Sequence, residues 1–315
     1  MTSPIRILMV GEGAIAGIHM QALASVPEAR VVAVVGGDAQ GARRFAEHWN
    51  IPHVCADYTQ ALATLEIDAV ILATPSPLHA DQAEQAIDAG KHVLCEIPMS
   101  LNLADAERMT ARAREANTVA MVAHTRRFNA PHREMKRRIR TGEFHLQHLV
   151  SETYFLRREN LNMQGEPRGW TDHLLWHHAC HSVDLFAWLL DDFDLKVWGG
   201  RGPIHPELGI AMDMNIGLKS RNETLATLTL SFNNHGPFGG FYRYIGEENT
   251  LMAYRDELKD YQGEVMTLEG VGFQEQDAEF IAAIRECRVP EATFSHCLPT
   301  MRLLAKLEKI MADVC

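Results

Sequence analysis

At 315 residues the chain exceeds one comfortable hydrophobic core and implies about two domains. With 46% hydrophobic and 23% charged residues it has an ordinary globular composition, and its net charge of -11 excludes general binding to nucleic acid or an anionic membrane. The six cysteines form no C-x-x-C pair, which sets aside a disulfide framework and structural zinc and favours a reducing cytoplasm.

In chain order, Pro4 leads into an apolar run at 5–10 that is too short for a signal-peptide core. No later apolar run approaches a bilayer span, so the expectation is a soluble, unexported protein. Runs at 5–10, 31–35, 69–73, 92–95 and 119–122 have the continuous apolar character of buried parallel strands. Helical patterns at 39–48, 78–89 and 104–116 separate them, which predicts a doubly wound α/β sheet. After Ala123 the rhythm changes to a basic helix, a strand near 149–155, a loop and a histidine-rich helix. Strands at 196–201, 210–219, 225–232 and 241–246 then follow without intervening helices, and helices at 274–286 and 296–312 close the chain. The expected division is a dinucleotide-binding domain over 1–123 and an α+β domain with a largely antiparallel open sheet over 124–315. The second is expected to carry substrate binding and, through an exposed sheet face, assembly into a homo-oligomer, a dimer or higher.

Gly11-Glu12-Gly13-Ala14-Ile15-Ala16 follows the first strand and opens a helix, placing G-x-G-x-x-A in the strand-turn-helix context of a Rossmann fold. Gly11 permits the tight turn, Gly13 lets a pyrophosphate approach the backbone, and Ala16 allows close helix packing; the helix N-terminus at Ala14 and Ile15 favours the anion. The second strand ends at Gly36-Gly37-Asp38, so Gly36 stands where an NAD enzyme usually carries an acid for the ribose diol. Nothing at that position would repel a 2'-phosphate, and Arg43 and Arg44 follow, which favours NADP. Asp38, as a shifted carboxylate, keeps NAD open.

Arg126 and Arg127 sit at the end of a parallel strand, where such sheets border their ligands, while Arg157, Arg158 and Arg168 flank the later loop. Guanidinium groups grip carboxylates bidentately, so their convergence would select an acidic substrate, a small dicarboxylate among them. Between Trp170 and Asp184 runs W-T-D-H-L-L-W-H-H-A-C-H-S-V-D. At helical period His173, His177, His181 and Asp184 share one face, with His178 turned away into the packed remainder. Core packing, a metal site and acid/base work all remain open, although no H-E-x-x-H glutamate or cysteine pair supports a metal, and none is assigned. Imidazole titrates near neutrality and can take a hydroxyl proton as hydride leaves the same carbon, which favours His181 as base with His177 as its partner.

Together these residues resemble the glucose-fructose oxidoreductase and inositol dehydrogenase family over essentially the whole chain. The resemblance rests on G-E-G-A-I-A, on Ala73-Thr74-Pro75 with His79, on Gly90-Lys91-His92-Val93 leading to Glu96-Ile97-Pro98, on H-T-R-R-F-N, and on the histidine helix. Ile97 stands where the family has a lysine and His177 where it has an aspartate; His181 matches the family's histidine. These departures, with R-R-E-N, G-P-I-H-P-E-L-G-I-A-M-D-M and S-F-N-N, resemble a branch acting in bacterial protocatechuate 4,5-cleavage. That branch oxidises the cyclic hemiacetal of a ring-cleavage semialdehyde to 2-pyrone-4,6-dicarboxylate with NADP or NAD. The resemblance therefore implies a dinucleotide across Gly11, Gly13 and the Ala73-Thr74-Pro75 turn, with Glu96 and Pro98 at the nicotinamide and Ile97-Pro98 a candidate cis bond. His173 and His205 are further substrate-side candidates. Oxidation of a sugar acid or cyclitol, and a nonenzymatic NADP-binding regulator, are the alternatives.

Overall fold

Six strands, β1 (Ile5–Val10), β2 (Ala29–Val35), β3 (His53–Cys55), β4 (Ala69–Leu72), β5 (His92–Cys95) and β6 (Ala120–Val122), pair in the order β3-β2-β1-β4-β5-β6. Every pairing is parallel. This computed structural model describes residues 3–161 and 165–312. All four residues of β4 are buried, as expected of strands covered on both faces. The edge strand β3 is too short and exposed to announce itself by apolar pattern. Helices α1 (Ala14–Leu23), α2 (Ala39–Trp49), α3 (Tyr58–Thr64), α4 (His79–Asp88) and α5 (Leu103–Glu115) make the crossovers. Asp38, Asp57 and Asn102 cap α2, α3 and α5 by accepting from backbone N–H groups three residues on. Strand order reverses between β1 and β4, the place where folds of this type bind ligands beyond the carboxyl ends of the strands.

Beyond α6 (Ala130–Thr141) an eight-stranded mixed sheet forms from β7 (Leu146–Tyr154), β8 (Lys196–Arg201), β9 (Asp213–Lys219), β10 (Leu225–Ser231), β11 (Gly239–Gly246), β12 (Thr250–Tyr254), β13 (Glu257–Asp260) and β14 (Val265–Met266). Its order is β14-β13-β12-β11-β7-β10-β9-β8, antiparallel except for β7 with β10. Along β10, Ala226, Leu228 and Leu230 are buried while Thr227, Thr229 and Ser231 stay partly exposed, a period of two that leaves one face open. The outer strands β12 to β14, of five, four and two residues, are too short to give a strong strand signal of their own. Helix α7 (Cys180–Leu190) follows β7 and its loop, and α8 (Gly272–Arg285) and α9 (Phe294–Ala312) end the chain.

Contacts divide the chain into one unit of Met1–Thr125 with Phe273–Leu298 and another of Arg126–Gly272 with Pro299–Cys315. Segment Phe273–Leu298 thus joins the first unit, where the sequence assigned all of 124–315 to the second. Its bonds give the reason. The Asp277 carboxylate lies 2.8 Å from His19, the Gln276 side chain accepts from Thr125 at 2.9 Å, and the Ala292 carbonyl accepts from the Val122 N–H at 2.8 Å.

Within the second unit, Arg127 donates to Asp184 through Nε at 2.7 Å and Nη2 at 2.6 Å, and the Thr300 hydroxyl donates to the same carboxylate at 2.8 Å. Arg127 is 2% and Asp184 0% exposed. Removing one member strands a buried charge, so Asp184→Ala is expected to cost about 3–5 kcal/mol and Thr300→Val about 1 kcal/mol, read from urea unfolding midpoints.

Candidate active site

In the first unit the glycine turn is shaped by close approach and by open space. Gly11 sits at φ +116°, and a Cβ there would fall 2.4 Å from the Ala73 carbonyl oxygen, so only glycine lets the ends of β1 and β4 meet. Gly13 begins α1 in an extended conformation with no side-chain cap, and the first turn holds no acidic residue. Nothing lies within 4 Å of where its Cβ would be. The helix end thus has no side-chain cap and no residue crowding Gly13, which fits a pyrophosphate on its orphan N–H groups. Ala16 is fully buried, which suits close helix packing.

His79 braces the neighbouring turns: its Nδ1 lies 2.8 Å from the Pro98 carbonyl oxygen and its Nε2 2.8 Å from that of Thr74. Burial pushes its pKa down. The Thr74 hydroxyl donates to Gln82 at 2.6 Å, and the Ile97-Pro98 bond is cis. His79 and Thr74 thus tie the Ala73-Thr74-Pro75 turn to the Glu96-Ile97-Pro98 segment.

Glu96 belongs to a buried cluster that sequence reasoning missed. His19, fully buried on α1, lies 2.8 Å from Asp277 through Nδ1 and 3.1 Å from Glu96 through Nε2, while Glu96 also accepts from the Ile97 N–H at 3.0 Å. Burial alone would lower the imidazole pKa, but the flanking carboxylates Asp277 and Glu96 carry it up to about 10. The only sequence signal is a polar residue three places after Ala16, on a helix face that otherwise buries Ala22 and Leu23.

The end of β2 does hold a negative charge: Glu12, from the glycine turn, accepts from the Gly37 N–H at 3.1 Å and the Asp38 N–H at 3.0 Å. Asp38 is engaged in capping, its carboxylate accepting from the Gly41 N–H at 2.6 Å. Arg43 lies along the surface formed by Ala46, Glu47, Asn50, Ile51 and Val54, and both it and Arg44 are exposed.

In the second unit the expected single helix is interrupted. Residues Leu174–Ala179 form a widened π-type turn, closed by the Cys180 N–H bonding the Leu175 carbonyl five residues back, before α7 begins. The extra residue breaks the expected stripe. His173 becomes a cap whose Nδ1 accepts from the Leu175 N–H at 3.2 Å, and Asp184 turns to Arg127. His177 and His178 both face Asp172, each with Nε2 3.9 Å from a carboxylate oxygen, so His178 does not point away. His181 is half-buried at the start of α7.

Asp172, absent from the sequence expectations, is the hub of this cluster. Arg157 pairs with it through Nη2, and Arg168 donates through Nη1 at 3.0 Å. Burial opposes its ionisation, yet His178, His177 and Arg168 hold its carboxyl below the usual range. The Nε and Nη1 atoms of Arg157 and the Nε and Nη2 atoms of Arg168 are buried with no hydrogen-bond partner among the described residues. Each guanidinium also lies on an aromatic ring, Arg157 over Phe232 at 4.9 Å and Arg168 over Trp170 at 4.6 Å. Asn160 closes the loop by donating to the Arg168 carbonyl at 3.0 Å and the Trp170 carbonyl at 2.9 Å.

The other predicted arginines do not converge here. Arg127 is committed to Asp184, and exposed Arg158 donates to Asn233 at 2.9 Å. Arg126 lies 5.8 Å from the Tyr242 ring and donates to Asn129 at 3.3 Å. His205 accepts from the Glu207 and Leu208 N–H groups and closes a turn.

Residues 5–124 match a family model described as "Oxidoreductase family, NAD-binding Rossmann fold", and residues 130–272 match "Bacterial oxidoreductases, C-terminal". A Sphingobium 4-carboxy-2-hydroxymuconate-6-semialdehyde dehydrogenase is 44% identical over 96% of this chain and 98% of its own. The chain belongs to the GFO/IDH/MocA oxidoreductase family. It is an oxidoreductase of the class acting on CH–OH groups. A Bacillus subtilis scyllo-inositol 2-dehydrogenase (NADP(+)) is 31% identical over 43% of this chain and 41% of its own. Among solved structures, scyllo-inositol dehydrogenase from Lactobacillus casei with NAD(H) and scyllo-inositol superposes at TM-score 0.81, with 18% identity over 99% of this chain and 98% of that one. An Agrobacterium radiobacter oxidoreductase with NAD+, L-tartaric acid and magnesium reaches 0.84 at 16% identity over 99% and 98%. Both show a shared fold.

The buried cluster at His19 has a thermodynamic signature. With a folded pKa raised from 6.5 to about 10, His19 holds its proton more tightly folded than unfolded. Its contribution is complete below about pH 6.5 and is lost as pH rises toward about 10. Urea midpoints of the native protein are expected to fall across that window, and those of His19→Gln to start lower and fall less.

Proposed function

We propose that this oxidoreductase oxidises the hemiacetal form of 4-carboxy-2-hydroxymuconate-6-semialdehyde to 2-pyrone-4,6-dicarboxylate, as in protocatechuate 4,5-cleavage. The observation that carries the reading is the pair Arg157 and Arg168, which share one aspartate and keep further buried N–H donors beside the histidines. Two guanidiniums against one carboxylate leave a net positive site, which favours an acidic substrate. The relative that is 44% identical bears the same substrate in its name.

A nicotinamide dinucleotide, when bound, supplies the hydride acceptor. The uncapped start of α1 at Gly13, the Ala73-Thr74-Pro75 turn and the Glu96-Ile97-Pro98 segment would hold it. His181 takes the hydroxyl proton, and His177, set against Asp172, orients or shares it. A hemiacetal hydroxyl is more acidic than a sugar alcohol, so a neutral imidazole suffices where Ile97 replaces a lysine. Arg157 and Arg168 grip a substrate carboxylate. NADP is the expected dinucleotide, with NAD as the alternative. The open sheet face, where Trp198 is 50% exposed, supports a homo-oligomer.

The deciding experiment compares kcat/KM for the semialdehyde with that for a panel of sugar acids and cyclitols; turnover of the panel alone would replace the substrate assignment. His181→Ala is expected to lower kcat/KM by about 100- to 10,000-fold while leaving the melting temperature close to native. Loss of a carboxylate grip in Arg168→Met is expected to appear mainly as a rise in KM, roughly tenfold or more.

A further inference from the structure

Three aromatic rings stand against the arginine and histidine cluster of the second unit, and they differ in what covers them. Phe232 is fully buried, with the Arg157 guanidinium 4.9 Å from its centroid and the His178 ring edge-on at 5.1 Å. Trp170 carries the Arg168 guanidinium at 4.6 Å, and its ring lies 5.6 Å from that of His177. Phe155 carries no guanidinium among the described residues; its ring lies 5.3 Å from that of His178, and the residue stays 36% exposed. Its place is nevertheless fixed. The Phe155 and Arg157 N–H groups donate to the Ser231 and Phe232 carbonyls, each at 2.9 Å, which pins this stretch to the end of β10. Arg157, Arg168 and Asp172 are more deeply buried than this ring. Charge is therefore sunk into the unit, and the phenyl ring beside it is left open.

We propose that Phe155 is a specificity-determining residue of this site: its open ring stacks on the flat unsaturated ring of the substrate while Arg157 and Arg168 take a carboxylate, so that a planar ring acid is selected over a puckered one. The inference rests on the acidic ring substrate proposed above and adds the group that reads the shape of the ring. Two π-systems attract in offset-stacked or edge-on geometry beyond the burial of their area, and a saturated ring has no π-face to offer. A phenyl ring also receives no hydroxyl hydrogen bond of ordinary strength. Asp172, the carboxylate of the cluster, is held by both arginines, so a cyclitol would bring hydroxyl donors to a wall that does not satisfy them. The reaction runs in the same direction. As the carbinol carbon loses hydride to the dinucleotide and its hydroxyl proton to His181, the C–O bond becomes a carbonyl and the tetrahedral ring carbon becomes trigonal. The product ring is flatter than the substrate ring, so stacking on Phe155 strengthens as the reaction proceeds.

The test is equilibrium binding of two unreactive dicarboxylates that match in charge and in the placement of their carboxylates but differ in flatness, isophthalate and cis-cyclohexane-1,3-dicarboxylate. Each is titrated by calorimetry into the full-length protein in the presence of excess NADP. The native protein is expected to bind isophthalate about tenfold more tightly. Phe155→Leu, which keeps an apolar side chain, is expected to weaken isophthalate and bring the two affinities within about threefold of each other, while Phe155→Tyr retains the preference. Arg168→Met is expected to weaken both ligands alike and leave their ratio in place, which separates the grip on the carboxylate from the reading of the ring. Equal binding of the two dicarboxylates by the native protein would overturn the proposal even should the leucine variant fold poorly, and so would an unchanged ratio in a folded Phe155→Leu. A native preference for isophthalate that Phe155→Leu abolishes would support the proposal even if the semialdehyde were not turned over, in which case the substrate assignment alone would fall. Binding of neither dicarboxylate would overturn the reading of an acidic ring substrate and the proposal with it.

Discussion

The second unit is organised by one buried carboxylate. Asp172 faces Arg157, Arg168, His177 and His178, four side chains drawn from a loop and from a single helical turn. An isolated carboxylate so far from water would protonate or be expelled; surrounded by donors it remains ionised and holds them. Arg157 and Arg168 are fixed by this attraction and by the aromatic rings under them, and Asn160 by its bonds to the Arg168 and Trp170 carbonyls. A π-type turn costs regular hydrogen bonding, and what accompanies it here is two adjacent histidines presented to one acid. Both histidines, although adjacent in sequence, reach the same carboxylate.

The first unit depends on a comparable arrangement at His19. There a single imidazolium sits between Asp277, from a segment 258 residues later in the chain, and Glu96, from the turn after β5. The charges bring the segment Phe273–Leu298 to the parallel sheet and at the same time fix Glu96, whose other oxygen accepts from Ile97. Structure and the nucleotide-binding face are held by the same bonds.

Charge economy also explains why several arginines that looked functional are structural. Arg127 and Asp184 neutralise each other in the core, and Arg158 fastens the end of the loop to Asn233. What remains, Arg157 and Arg168, is distinguished by two guanidiniums sharing the single carboxylate of Asp172.

From the sequence, the parallel sheet was legible because strands buried on both faces must be continuously apolar, and the glycine turn because only glycine tolerates φ +116° against the Ala73 carbonyl. The concentration of imidazoles in the histidine segment and the arginines flanking it were equally visible, as was the resemblance carried by the long motifs. Residue spacing could not show which arginine meets which acid, that a widened turn would move His178 onto Asp172, or that Glu12 would cross to the end of β2. Those are pairings between residues 4 to 57 positions apart, made by charge and burial once the chain has folded. The helix and strand periods govern only neighbours, so the catalytic candidates could be listed from the sequence, while their partners were decided by the tertiary structure.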